Sequence, residues 1–92
     1  MKQKFCIYYY NYGKIINKDV ERVITDLEKK YEINESGRSE SLVCRIIDGY
    51  GKNIAVTNAF VLEVSQYLTK IRMNFEIYWS GENKMVVNFV NT

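Results

Sequence analysis

Histidine and proline are both absent from this 92-residue chain. Without histidine, no Ser-His-Asp or Cys-His set can be assembled, and the commonest general base and metal ligand is missing. Without proline there is no cis-prolyl turn. Cysteine is scarce, and Cys6 and Cys44 lie too far apart in the chain to form a CxxC redox pair. Each sits inside an apolar run, so both thiols are expected to be reduced and buried. No stretch approaches the ~20 apolar residues that a membrane span needs. Lys2 and Lys4 lead into tyrosines, not into a plain apolar segment with a small-residue cleavage site. The expectation is a cytosolic (cytoplasmic) protein with no membrane partner. An excess of one charge is also missing: 13 basic residues face 11 acidic ones, for a net charge of +2. That balance argues against strong electrostatic binding to nucleic acid or anionic lipid, and against a polyanionic mimic of DNA.

Apolar residues make up 47% of the chain and charged residues 26%, as in a folded globular protein. The length suits a single domain over residues 1–92. Asn, Lys, Ile and Tyr dominate, all with A/T-rich codons, which points to a low-GC bacterium or its phages. Half of the eight tyrosines fall in one run, "FCIYYYNY", residues 5–12. Residues 3–12 read as a strand ended by Gly13-Lys14. Phe5, Ile7 and Tyr9 then share one face, and Cys6, Tyr8, Tyr10 and Tyr12 the other.

Helical spacing of Val20, Val23, Ile24, Leu27 and Tyr31 predicts a helix over about 18–32. Asn17 is its candidate N-cap, and Asp19 and Glu21 suit its first turn. Asp26 and Lys30 are spaced as an i,i+4 ion pair. "NESGRSES" (34–41) is polar and is expected to be an exposed loop. "LVCRIID" (42–48) reads as a second strand, followed by a "GYGK" turn (49–52). "NIAVT" (53–57) is either a returning hairpin strand or the first turn of the next helix. Phe60, Val61, Val64, Leu68 and Ile71 form a second helical stripe, with Tyr67 at its edge and Thr57 or Asn58 as cap. "NFEIYWS" (74–80) alternates as a strand, "SGEN" (80–83) turns, and "KMVVNFV" (84–90) returns.

The expected fold class is α+β: a two-layer sandwich with two helices on one face of a mainly antiparallel sheet of four or five strands. With 53–57 as a strand, the first six elements follow the βαββαβ order of ferredoxin-like folds, and the C-terminal strand extends the sheet. Only one face of the first strand can meet the helices. Phe5, Ile7 and Tyr9 are the better core set, which leaves Tyr8, Tyr10 and Tyr12 on the open face with Tyr78 beside them. The opposite choice buries Cys6 and three tyrosines, with more hydroxyls needing partners.

Catalytic chemistry finds little footing. Asp19 and Glu21 are ordinary first-turn acids, and Asp48 precedes a glycine turn. "GYGK" lacks most of a phosphate loop, with Asn53 where Ser or Thr belongs. The expectation is a protein that is not an enzyme and uses no cofactor or metal. "IYYYNY" (7–12) loosely resembles the first-strand motif of RNA-recognition motifs, with Ile7, Tyr8 and Asn11 in matching places. Their basic-Gly-aromatic-Gly-aromatic motif has no counterpart. A nucleic-acid reading takes Lys14, Arg45, Lys52 and Arg72 as phosphate contacts. A protein-interface reading takes Tyr8, Tyr10, Tyr12 and Tyr78, with Tyr50 from the glycine turn, as contact residues. The apolar last strand is also an edge on which a homodimer could form. In length, composition and want of catalytic motifs, the whole chain resembles small phage anti-CRISPR and other anti-defence inhibitor proteins. That resemblance implies a compact, non-enzymatic protein that occludes a surface of a host protein complex such as a CRISPR-Cas effector.

Overall fold

The computed structural model describes residues 4–10, 18–40, 44–79 and 84–87. In chain order the elements are β1 (Lys4–Tyr10), α1 (Lys18–Lys30), β2 (Asn34–Glu40), β3 (Cys44–Tyr50), α2 (Ile54–Lys70), β4 (Phe75–Trp79) and β5 (Lys84–Val87). The strands form one sheet in the order β2-β3-β1-β4-β5, and every neighbouring pair is antiparallel. This is an α+β sandwich with one open sheet face. Among the described residues, no helix is long and apolar enough to cross a membrane.

β1 is the middle strand, flanked by β3 and β4, and it presents an apolar row to the helices. Phe5, Ile7 and Tyr9 are 2%, 0% and 4% exposed, as alternation predicts. They meet Ile47 of β3, Phe75 and Ile77 of β4, Val20 and Ile24 of α1, and Phe60, Val61, Val64 and Leu68 of α2. Phe5 and Phe60 stack at 5.1 Å between ring centres. Leu27, Tyr31, Tyr67 and Trp79 close the rim of this core. Ile71, expected in the buried stripe, lies past the end of α2 and is exposed.

Both helices end the same way, and neither uses glycine. Glu32 and Arg72 adopt the left-handed region at φ 52° and 57°. This lets the Ile33 and Met73 amides reach back to the carbonyls of Glu28 and Leu68, each at 2.9 Å. Ile33 and Met73 then pack against the core, which offsets the backbone strain. Lys30, expected to pair with Asp26, bonds Glu63 of α2 at 2.8 Å and so ties the two helices together.

One segment departs from the sequence reading, and a second is decided between the two readings left open for it. Residues 34–41, expected to be a loop, contain the edge strand β2. A polar strand is stable here because its inward side meets charged groups of α1, not apolar ones. Arg38 of β2 bonds Glu21 and Glu28 of α1 at 3.1 and 2.6 Å. Residues 53–57 are not a hairpin strand: α2 starts at Ile54, and Asn53 is its cap, accepting the Val56 amide at 2.9 Å. Thr57, a candidate cap, is instead fully buried one turn inside the helix. "GYGK" is accordingly a strand-to-helix link. Its glycines allow close approach: a Cβ on Gly49 would lie 2.7 Å from the Asn34 carbonyl oxygen, and one on Gly51 2.9 Å from Thr57 Oγ1. The expected N-cap Asn17, the Gly13-Lys14 strand end, the 80–83 turn and residues 88–90 of the last strand lie outside the described residues.

Candidate functional site

Pairing register assembles the face that the helices do not cover. Tyr8 of β1 stands between Ile46 of β3 and Glu76 of β4. Cys6 stands between Asp48 and Tyr78, Tyr10 faces Cys44, and Lys4 faces Tyr50. On β2 the matching positions hold Gly37 and Ser39, so the face steps down beside Asp48 and Ile46. Tyr8, Tyr10, Tyr50 and Tyr78 are all half-buried. Each thus shows part of its ring to solvent and rests the remainder on neighbours.

Glu76 organises the tyrosines. The Tyr10 hydroxyl donates to its Oε2 and the Tyr78 hydroxyl to its Oε1. Tyr8 meets Tyr78 edge to face, with ring centres 5.6 Å apart and planes at 77°. Three rings from two strands are therefore held around one carboxylate, which limits their rotamer freedom before any partner arrives. The hydrogen bond to Glu76 holds both the Tyr10 and the Tyr78 hydroxyl above the usual phenol range. The Tyr8 hydroxyl is raised too, first by its bond to Cys6. All three are neutral donors across physiological pH.

The thiols are placed differently from the expectation of burial. Cys6 and Cys44 are only half-buried, and both belong to the open face. Burial, and next a hydrogen bond to Asp48, push the Cys6 thiol up to about 12. A thiol so shifted is a weak nucleophile, because the thiolate is the reactive form. Lys4, Phe5, Cys6, Ser36, Asp48, Tyr78 and Trp79 surround a cleft of about 320 Å³ at this end of the face. Among the described residues, no group of three or more Cys, Asp or Glu is arranged to hold a metal ion.

The four cations suggested for phosphate contact do not gather. Arg45 is on the helix-covered side, with Nε 3.1 Å from Glu21 Oε1 and its side chain 14% exposed. It is thus committed to an ion pair with α1 and does not share the open face. Lys52 and Arg72 are exposed, but at opposite ends of α2. A helix of 17 residues separates them by roughly 25 Å. Lys14 lies outside the described residues, and so does Tyr12 of the interface set. Tyr8, Tyr10, Tyr50 and Tyr78 do share the open face. Alternation alone assigns Glu76 to it as well. Its bond to Tyr10 requires β1 and β4 to be neighbours, which nothing local in the sequence encodes.

No family model matches this chain, and no curated protein matches it.

Proposed function

We propose that the chain is a small, non-enzymatic protein-binding module, an inhibitor or adaptor, that docks a partner protein on the open sheet face. The observation that carries this reading is the tyrosine set: Tyr8, Tyr10 and Tyr78 are pre-ordered around Glu76 on a face without a helix. Such rings give large contact area at small entropic loss and keep polar tips, as interface hot spots do. Tyr50 extends the patch along β3. Glu76 and Asp48 lie in its middle, and Lys4 is the cation among its described side chains. The partner surface that suits it is protein rich in hydrogen-bond donors and basic groups. The strand order β2-β3-β1-β4 supports reading the first six elements as a ferredoxin-like unit extended by β5. Size and composition extend the reading to a phage- or mobile-element-encoded inhibitor of a host defence complex. A twofold contact through the β5 edge is a separate possibility, decided by light scattering.

The same geometry weighs against a single-stranded nucleic-acid module. The open-face row of β3 is Cys44, Ile46, Asp48 and Tyr50, with one aromatic at its end where base-stacking rings are needed, and Asp48 and Glu76 repel phosphates. The test is a pull-down from a low-GC bacterial lysate with the wild-type chain and the double variant Tyr8→Ala/Tyr10→Ala, with and without nuclease. A nuclease-resistant protein captured by the wild type and lost from the folded variant supports the reading. Equal capture by the variant removes the surface assignment. Capture abolished by nuclease transfers the face to nucleic acid.

A further inference from the structure

Glu76 is the acidic centre of the open face, and the rings around it define what can meet it. It stands opposite Tyr8 in the β1–β4 register and shares its strand and face with Tyr78. The Tyr10 and Tyr78 hydroxyls donate to its two oxygens, one to each. Both oxygens therefore act as acceptors, as those of an ionised carboxylate do. Such a group accepts about four hydrogen bonds, so two phenols do not exhaust it. Nor do the phenols cancel its charge, because they stay neutral donors. Tyr8 and Tyr78 lie at 77° with centres 5.6 Å apart, which makes a corner beside the carboxylate. Glu76 and all three tyrosines are half-buried, so each is partly open to solvent. Asp48 adds a second acid, across Cys6 from Tyr78. Lys4, the cation among the described side chains of this face, stands at the far end of β1, roughly 13 Å along the strand from Tyr8.

We infer that this site receives one arginine side chain of a partner protein, its guanidinium donating to Glu76 and lying against the Tyr8 and Tyr78 rings. The anchor presupposes the docking reading above and names the group that the face is shaped to hold. Charge selects against the alternatives. A carboxylate or phosphate on the partner is repelled by Glu76 and Asp48. An aliphatic side chain covers Glu76 without supplying a donor, which leaves a desolvated charge unpaired.

Shape then selects arginine over lysine. The planar guanidinium fork donates two parallel N–H groups, which matches the two oxygens of one carboxylate. Its flat, weakly hydrated faces stack on aromatic rings, where the ring quadrupole attracts the positive charge. A lysine ammonium reaches the same carboxylate only as a strongly hydrated point charge. The two tyrosine hydroxyls also fix the orientation of the Glu76 carboxylate before the partner arrives, so less freedom is lost on binding.

A library of random peptides displayed on phage, selected on the immobilised full chain, tests the anchor. Peptides that bind the wild type and not the Tyr8→Ala/Tyr10→Ala variant, its fold checked by circular dichroism, report on the open face. These should contain an arginine whose replacement by lysine weakens binding roughly tenfold, through loss of one charge-assisted hydrogen bond. Replacement by citrulline, planar but neutral, should weaken it at least as much. Glu76→Gln should remove most of the preference for arginine over citrulline, a comparison made within one folded variant. Open-face binders without arginine, or an arginine preference that survives Glu76→Gln, overturn the anchor and leave the docking reading standing. Absence of any binder that depends on Tyr8 and Tyr10 overturns both.

Discussion

Replacing Thr57 by valine isolates one buried hydrogen bond at nearly constant shape. Thr57 is fully buried, and its Oγ1 accepts the Gly51 amide at 2.8 Å while donating to the Asn53 carbonyl at 3.0 Å. The Asn53 carbonyl also receives the Thr57 amide at 3.0 Å, so valine leaves it satisfied. The Gly51 amide is different: Gly51 is buried, and its N–H is left without its acceptor. Leaving one buried donor unmet costs about 1–3 kcal/mol. Taking about 2 kcal/mol, and about 4–8 °C per kcal/mol for a domain of this size, the melting temperature should fall by about 8–16 °C. Thr57→Ser keeps the hydroxyl and removes one methyl, a loss of about 1 kcal/mol. The expected order of stability in urea and thermal unfolding is therefore wild type, then serine, then valine. Gly51 amide exchange should accelerate selectively in the valine variant. If valine proves as stable as serine, the hydroxyl is not what secures the link between β3 and α2.

Two further outcomes follow from the same packing. In a Cys44→Ala background, Cys6 should react with iodoacetamide at pH 8 at least roughly a hundredfold more slowly when folded than when unfolded. A thiol pushed up to about 12 is about one part in ten thousand thiolate at that pH, against about one in ten for an unshifted one. Equal rates, measured by mass spectrometry, would remove the assigned burial and Asp48 bond. On α2, Leu68→Ala should lose about 2–5 kcal/mol because the side chain is 0% exposed, whereas Leu62→Ala, at 55% exposed, should stay within about 0.5 kcal/mol. Urea midpoints decide between them, and similar losses at both would place α2 in the wrong rotation.

The core was readable because periodicity is a local signal. Val20 and Ile24 at helical spacing, and Phe5, Ile7 and Tyr9 at strand spacing, are buried as their pattern demands. The errors lie where stability comes from long-range partners. "NESGRSE" carries no apolar alternation, so it reads as a loop, yet Arg38 finds three carboxylates, two of them on α1, and the segment pairs with β3. "NIAVT" suited either a strand or the first turn of a helix, and local contacts, the Asn53 cap and the buried Thr57 hydroxyl, decide for the helix. The C-terminal turns carry no glycine to announce them, because Ile33 and Met73 find core contacts that stabilise Glu32 and Arg72 in the left-handed region.

For the candidate site the division is similar. Alternation within "FCIYYYNY" was enough to separate Phe5, Ile7 and Tyr9 from Tyr8 and Tyr10, since a strand turns every second side chain to the same side. Composition was enough to deny the chain histidine chemistry. Tertiary structure decided the rest. It set β4 beside β1, so that Glu76 receives both Tyr10 and Tyr78. It turned Arg45 toward Glu21 and away from the open face, because a partly buried guanidinium is stable only against a carboxylate. Which residues share a face is written in the spacing of one strand; which charges meet across strands depends on neighbours that only the folded chain brings together.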